Sequence, residues 1–440
     1  MTRCAFHRDR IASGRCAECG KDICGECQEQ VGGLVACIIP CLYRILVGPH
    51  VLDRLLAFDL AGVLILVALA VFAALTFVVL PLLHLAVPPE SPLHVSTYVI
   101  TLAGKIMCYA IVAVALDLIW GYAGILSLGH GLFFALGGYA FGMYLMRSIG
   151  RDGVYQSDLP DFMVFLDWNA LPWYWQGTEH FLWALLLVLA VPALLAFVFG
   201  YFAFRSRIKG VYFSIITQAL TFAAMLAFFR NDMGFGGNNG FTDFKRILGF
   251  PITAPETRTV LYALSVLYLF GALCLARWLV TGKLGRVLVA IRDQESRLLF
   301  LGYRTLHYKL FVWTLAAVMS GIAGALYVPQ VGIINPSEMT PEKSLEGVVW
   351  VALGGRGTLL GPVIGAVSVN ALKSWATREY PDLWLIILGL SLVVVVMFMP
   401  KGLAGLPAQL TAMVRSRWKS PEPVEEEEPD AITETAPNEP

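Results

Sequence analysis

The sequence predicts an all-α, polytopic membrane helical bundle carrying a small cysteine-rich head, and three observations predict it. Of 440 residues, 57% are hydrophobic and only 15% charged. The apolar residues gather in runs near the ~20-residue length that spans a hydrocarbon core. Lysines and arginines balance aspartates and glutamates to a formal net charge of zero, so no global basic field points to RNA or DNA and no nucleic-acid partner is expected.

Taken in order, apolar windows fall near 57–86, 96–119, 121–148, 181–204, 211–230, 258–280, 309–331, 346–375 and 382–400. The first 50 residues carry many charges and cysteines before any apolar run, unlike a secretory signal peptide. Within 346–375, Gly354-Gly355-Arg356-Gly357-Thr358 interrupts the run and frees backbone groups that must be buried in protein or line a cavity, so this segment reads as broken or re-entrant. About eight full crossings remain. Three regions result: a head over 1–45, a membrane domain over 57–406, and a tail over 407–440. The tail, with Glu425 to Glu428 and several prolines, buries too little apolar surface to order itself.

Positive charge is retained on the cytoplasmic side. Arg44 and Arg54 precede the first span, Arg205, Arg207 and Lys209 fill one short loop, and Lys283, Arg286, Arg292, Arg297, Arg304 and Lys309 crowd another. Counting from a cytoplasmic N-terminus puts all three on one face. The acidic loop 150–180 and the loop 231–257 then lie outside, and Lys401, Arg415, Arg417 and Lys419 place the C-terminus inside. The chain is therefore expected in the inner cell membrane, with its membrane domain in contact with the lipid bilayer and both termini cytoplasmic.

Seven of the nine cysteines lie in the first 41 residues, as Cys4-x2-His7, Cys16-x2-Cys19, Cys24-x2-Cys27 and Cys37-x3-Cys41. These four close pairs supply soft ligands for two tetrahedral zinc sites. A disulfide-bonded external cap is the competing reading, but a cytosolic head is reduced, which favours metal. A single-zinc module with Cys37 and Cys41 left over is the other arrangement. The spacing resembles B-box-like zinc modules, and that resemblance implies interleaved pairs, Cys4 and His7 with Cys24 and Cys27, and Cys16 and Cys19 with Cys37 and Cys41. Such closed sites are structural, with no open position for catalysis.

In the membrane domain, Gly138 with Gly142 and Gly361 with Gly365 form small-residue pairs that let helix backbones approach. Residues 282–295 open on a glycine break and set Val287, Ala290, Ile291 and Leu298 on one face of a short helix, with Arg292 and Glu295 beside it. Such a helix suits docking of a soluble partner; an interfacial helix resting on headgroups is the alternative.

The blocks Leu116-Asp117-Leu118-Ile119-Trp120-Gly121-Tyr122-Ala123-Gly124, Ser127-Leu128-Gly129-His130-Gly131, Ala290-Ile291-Arg292-Asp293, Ser320-Gly321-Ile322-Ala323-Gly324-Ala325-Leu326-Tyr327 and Gly354-Gly355-Arg356-Gly357-Thr358-Leu359-Leu360-Gly361-Pro362 together resemble the permease subunits of ABC importers for branched-chain amino acids. Residues 159–163 with Trp168 to Trp175, and Gly236-Gly237-Asn238-Asn239-Gly240-Phe241-Thr242-Asp243, resemble the urea branch of that family. The resemblance covers about residues 57–406; the cysteine-rich head departs from it. It implies a machine of a second permease subunit, two cytoplasmic ATPases and an external solute-binding protein. The ATPase-coupling residues are then Gly285, Arg286, Ala290, Arg292, Asp293 and Glu295. No Gly-x4-Gly-Lys-Ser/Thr loop occurs in the chain, so it is expected to bind no nucleotide and to be a transporter subunit rather than an enzyme.

Ser127, His130, Thr217, Gln218 and Asn370 lie in apolar spans and are candidates to line the path; an internal hydrogen bond between helices is the bland alternative for each. Urea, small, neutral and polar, needs hydrogen-bonding groups without strong fixed charge, and a path free of buried charge would favour it over an amino acid. Asp117 is the exception to explain. The expected function is an importer permease for urea, with branched-chain amino acids or short amides as the alternative solute. A zinc-headed receptor or scaffold without transport is the second alternative.

Overall fold

The computed structural model describes residues 14–15, 22–23, 76, 79–88, 91, 93–208, 210–383, 386, 389, 390, 393, 397 and 402–405. The chain divides into residues 1–75 and 76–440. In the first unit, the described residues form one antiparallel pair, β1 (Gly14–Arg15) with β2 (Asp22–Ile23). The eight predicted zinc ligands lie outside the described residues, as do the tail and most of the spans 57–86 and 382–400.

The second unit is helical. In chain order it holds α1 (Leu80–Leu85), α2 (Thr97–Asp117), α3 (His130–Ile149), the short α4 (Asp161–Phe165), α5 (Phe181–Arg205), α6 (Val211–Phe228), α7 (Pro255–Thr281), α8 (Lys283–Phe300), α9 (Thr305–Val331), α10 (Pro341–Gly354) and α11 (Leu360–Glu379). Six helices among the described residues are long and apolar enough to cross a membrane: α2 with its continuation to Tyr122, α3, α5, α6, α7 and α9. The helix α2, α3 and α9 are largely buried and form the centre, whereas α5 and α6 turn most of their apolar side chains outward, as helices facing lipid do.

Glycines set the central contact. A Cβ on Gly137 would overlap the Gly321 carbonyl, and one on Gly324 would overlap the Phe134 carbonyl, so α3 and α9 touch backbone to backbone. Gly138 shares this crossing, whereas Gly142 faces Ile334 and Phe241 instead. On the far side of α9, Gly321 receives Pro192 of α5, whose ring leaves the Val188 carbonyl without its helical partner.

Two predicted spans are broken rather than continuous. The window 121–148 does not start as a helix: α2 ends in a π-turn, Leu118–Tyr122, residues 124–129 run non-helically, and α3 begins only at His130. The window 346–375 splits into α10 and α11 around residues 355–359, where Gly355 (φ 119°) and Gly357 (φ 77°) adopt positive φ. Gly354, Gly361 and Gly365 then let α10 and α11 pack closely as a hairpin.

At one end of the bundle the loops 150–180 and 231–254 form a cap. Phe162 stacks on Phe241 at 4.9 Å, Trp175 donates from Nε1 to the Gly234 carbonyl at 3.1 Å, and Tyr174 donates from its hydroxyl to the Met233 carbonyl at 2.7 Å. Strand β3 (Phe241–Thr242) pairs antiparallel with β6 (Ile333–Ile334), while β4 (Arg246–Ile247) pairs with β5 (Phe250–Pro251). The first pairing steers the chain after α9 back into the bundle. The other end carries α8.

Candidate functional site: a tied knot and a polar cavity

At the α8 end, the two broken segments hold each other. The Asp117 carboxylate, fully buried, accepts from the amides of Gly357 at 2.7 Å and Leu359 at 3.2 Å. The Tyr122 hydroxyl donates to the Gly357 carbonyl at 2.8 Å. Arg356 donates from Nε to the Trp120 carbonyl at 3.1 Å and lies 5.0 Å from the centre of the Trp120 ring. Arg292 of α8 donates from Nη1 to the Gly121 carbonyl at 2.9 Å. The backbone groups freed by a π-turn and a helix break thus find partners in the side chains of buried Asp117, half-buried Tyr122 and the more exposed Arg292 and Arg356. A Cβ on Gly121 would strike the Asp117 carboxylate, so that glycine is required by proximity.

In α8 the residues read as one face, Val287, Ala290, Ile291 and Leu298, are buried or half-buried. Gly285, Leu288, Ile291 and Leu298 face inward, with Val287 and Ala290 half-buried beside them, and Gln294 (φ −153°, ψ 81°) leaves helical geometry and divides the helix. Gly285 packs on the Val280 backbone, where a Cβ has no room. Glu295 accepts from the Thr305 hydroxyl at 2.9 Å and from Lys309 Nζ at 2.5 Å. Arg292, although its side chain is partly exposed, and the half-buried Glu295 therefore fasten α8 to the bundle. Arg286, Asp293, Arg297 and, beyond them, Phe300 (90% exposed) and Leu301 (73%) are exposed.

Three cavities follow one another between the two ends. Nearest the cap, a cleft of about 340 Å³ is lined by residues including Tyr98, Lys105, Tyr109, Lys343, Asn370, Lys373 and Arg378. A small central cavity of about 30 Å³, room for roughly two waters, shares Tyr109 and Lys343 with it and adds Ser127, His130, Glu338, Ser344 and Trp350. At the α8 end, a cleft of about 250 Å³ is walled by Gly124, Ile125, Phe213, Ile291, Arg292, Glu295 and Lys309. The non-helical segment 124–129 borders both the central cavity and this last cleft.

The structure brings some of the sequence-predicted path residues together and separates others. Ser127 and His130 line the central cavity, and Asn370 lines the cap-side cleft while donating to the Ala366 carbonyl of its own helix at 2.8 Å. Thr217 is fully buried, accepting from Leu128 N at 3.2 Å and donating to the Ser214 carbonyl at 2.9 Å, which pins the non-helical segment rather than opening a path. Gln218 is half-buried and borders none of the three cavities, with no hydrogen-bond partner for its amide oxygen or nitrogen.

The expectation of a path without charge is corrected. Glu338 accepts from the Tyr327 hydroxyl at 3.0 Å and pairs with Lys343 at 3.7 Å; Lys373 pairs with Glu346; Lys105 lies 5.8 Å from the Tyr109 ring centre and 6.0 Å from that of Tyr327. Charges inside a bilayer are found paired in this way. Sequence reading missed Glu338, Lys343 and Ser344, because residues 332–345 read as a loop between spans, and Trp350, which passed for an apolar residue of the window 346–375. Lys105 was the available signal, a lysine in an apolar span that requires partners deep in the bundle.

The family described as "Branched-chain amino acid transport system / permease component" matches residues 98–396. The chain is 24% identical over 334 residues to the high-affinity branched-chain amino acid transport system permease protein LivM of Salmonella typhimurium, covering 71% of each chain. It is 26% identical over 275 residues to the probable branched-chain amino acid transport permease protein LivM of Methanocaldococcus jannaschii, covering 60% of this chain and 77% of that one. Over 151 residues it is 28% identical to the ribose import permease protein RbsC of Bacillus subtilis, covering 32% and 42%. No solved structure matches.

Proposed function

The chain belongs to the family of permease components of branched-chain amino acid transport systems, and we propose that it is the member that carries urea across the inner cell membrane. The observation that supports urea is the cap. The two parts that resemble the urea branch, 159–163 with 168–175 and 236–243, fold against each other through Phe162 and Trp175 on Phe241, and lie over the same end as the cap-side cleft. The small central cavity also suits a solute as compact as urea. Branched-chain amino acids are the second reading, favoured by the LivM relatives and by the half-buried Glu338, Lys343 and Lys105, which can match an ammonium and a carboxylate.

In this reading the chain works with a second permease subunit, two cytoplasmic ATPases and an external solute-binding protein, and both termini are cytoplasmic. The exposed Phe300 and Leu301 with Arg286, Asp293 and Arg297 form the face offered to an ATPase, while Gly285, Ala290, Arg292 and Glu295 anchor α8 so that its displacement reaches the knot at Asp117. Ser127 and His130 border the path in the centre and Asn370 borders it toward the cap. The head holds zinc through Cys4, His7, Cys16, Cys19, Cys24, Cys27, Cys37 and Cys41, a soft donor set suited to closed structural sites.

Uptake of labelled urea and leucine by cells with and without this gene, alongside its partner subunits, tests the solute. Loss of urea uptake alone supports the proposal; loss of leucine uptake alone replaces urea with amino acids. Deleting residues 1–45 tests the head, which is expected to leave uptake unchanged at equal membrane levels. Zinc content of the purified chain that stays at background would remove the metal.

A further inference from the structure

We infer that the central cavity is the site where the transported solute is held, and that Glu338, Ser344 and Trp350 are the residues that read it as a small neutral amide. This rests on the importer reading above and names its binding residues. Three residues that line this cavity carry four buried polar atoms with no hydrogen-bond partner among the described residues: both ring nitrogens of His130, the Ser344 hydroxyl and the Trp350 indole nitrogen. Their residues are at most 7% exposed. An unpaired buried donor or acceptor is destabilising, so several on the residues that line one cavity are a standing cost that a polar ligand relieves.

The walls also carry the right complement. Trp350 and Ser344 are donors for a carbonyl oxygen, and neutral His130 and the Glu338 carboxylate are acceptors for amide N–H groups. Glu338 is held by the Tyr327 hydroxyl and Lys343, so its charge is balanced before any solute arrives. Trp350 is oriented by stacking on Tyr109 at 5.0 Å. Space for the solute depends on Gly131, where an added Cβ would sit 3.0 Å from the Glu338 carbonyl oxygen and 3.4 Å from the Ser344 hydroxyl. The backbone supports the same placement, because the helix break before His130 and the return of the chain after β6 bring these walls together deep in the bundle.

The test uses the full chain reconstituted with its partner subunits in liposomes and takes two readouts. Uptake of urea and leucine is measured for wild type, Glu338→Gln and Trp350→Phe, with basal ATP hydrolysis of each complex confirming assembly. Separately, Ser344→Cys is labelled with a small methanethiosulfonate reagent in the presence of urea, leucine or ribose. The expected result is a KM for urea raised about tenfold or more in both variants with kcat within twofold, and protection of the introduced thiol by urea but not ribose. Protection and KM shifts seen with leucine alone keep the residues as the solute site and overturn the amide assignment together with the urea reading. Protection by neither urea nor leucine, with KM unchanged in both variants, overturns the site while wild-type urea uptake leaves the importer reading standing.

Discussion

The knot at Asp117 and the cavity at His130 lie in the same bundle and are both polar, yet they treat hydrogen bonding in opposite ways. In the knot, the Asp117 carboxylate, the Gly121 and Trp120 carbonyls and the amides of Gly357 and Leu359 all have partners. In the cavity, His130, Ser344 and Trp350 keep unpaired atoms. Saturated polar groups rigidify a joint that must transmit motion; unsaturated ones leave binding capacity for something that comes and goes. In the proposed mechanism, the contrast separates the part of the permease that moves as a unit from the part that handles solute.

The largest effect that would sharpen this contrast is expected at Asp117. Asp117→Ala leaves two buried amides without an acceptor and should lower stability by about 3 kcal/mol, read as a drop in the unfolding temperature of the detergent-purified chain. An unchanged unfolding temperature would break the knot as a structural device. Next comes Arg292→Ala, which frees the Gly121 carbonyl and loosens α8. Uptake should fall more than tenfold while ATP hydrolysis by the assembled complex persists, and a parallel fall of both would argue for a role in assembly instead. His130→Phe should do the reverse of Asp117→Ala, because no hydrogen bond is lost: stability within about 1 kcal/mol of wild type, but a severalfold loss of uptake. Equal damage to stability and uptake would erase the distinction between the regions. The smallest effect is expected for Asn370→Leu, whose amide bonds only within its own helix; uptake within twofold of wild type checks it, and a tenfold loss would move the solute-reading residues toward the cap.

Much of the knot was legible in the sequence. The glycine-rich interruption at 354–358 signals a broken helix, a buried Asp117 demands a partner, and the blocks around Asp117, Arg292 and Gly357 turn out to be one contact. The glycine pair Gly138 and Gly142 pointed to a close crossing, although Gly137 with Gly321 and Gly324 with the Phe134 backbone are its tightest points. Less legible was the start of α3. The glycines of 121–131 signal a broken helix, but only the hydrogen bonds from Ser214 to the Leu126 carbonyl and from Leu128 to Thr217 show where and how the non-helical stretch is held. The apolar spacing of α8 gave no sign of the kink at Gln294, although the residues it put on one face are buried or half-buried. The cavity was half legible: His130 and Ser127 are polar residues in an apolar run, whereas Glu338, Ser344 and Trp350 come from a segment whose path depends on β3 pairing with β6, a contact between strands about 90 residues apart that no local pattern encodes.

The measurement that tests the central claim most directly is uptake of labelled urea and leucine by cells expressing the partner subunits with wild-type chain, with His130→Phe, or with no chain. Urea uptake that requires the chain and falls severalfold in the variant at equal membrane levels, with leucine uptake unaffected, is the predicted result. Urea uptake that is the same with and without the chain would contradict it.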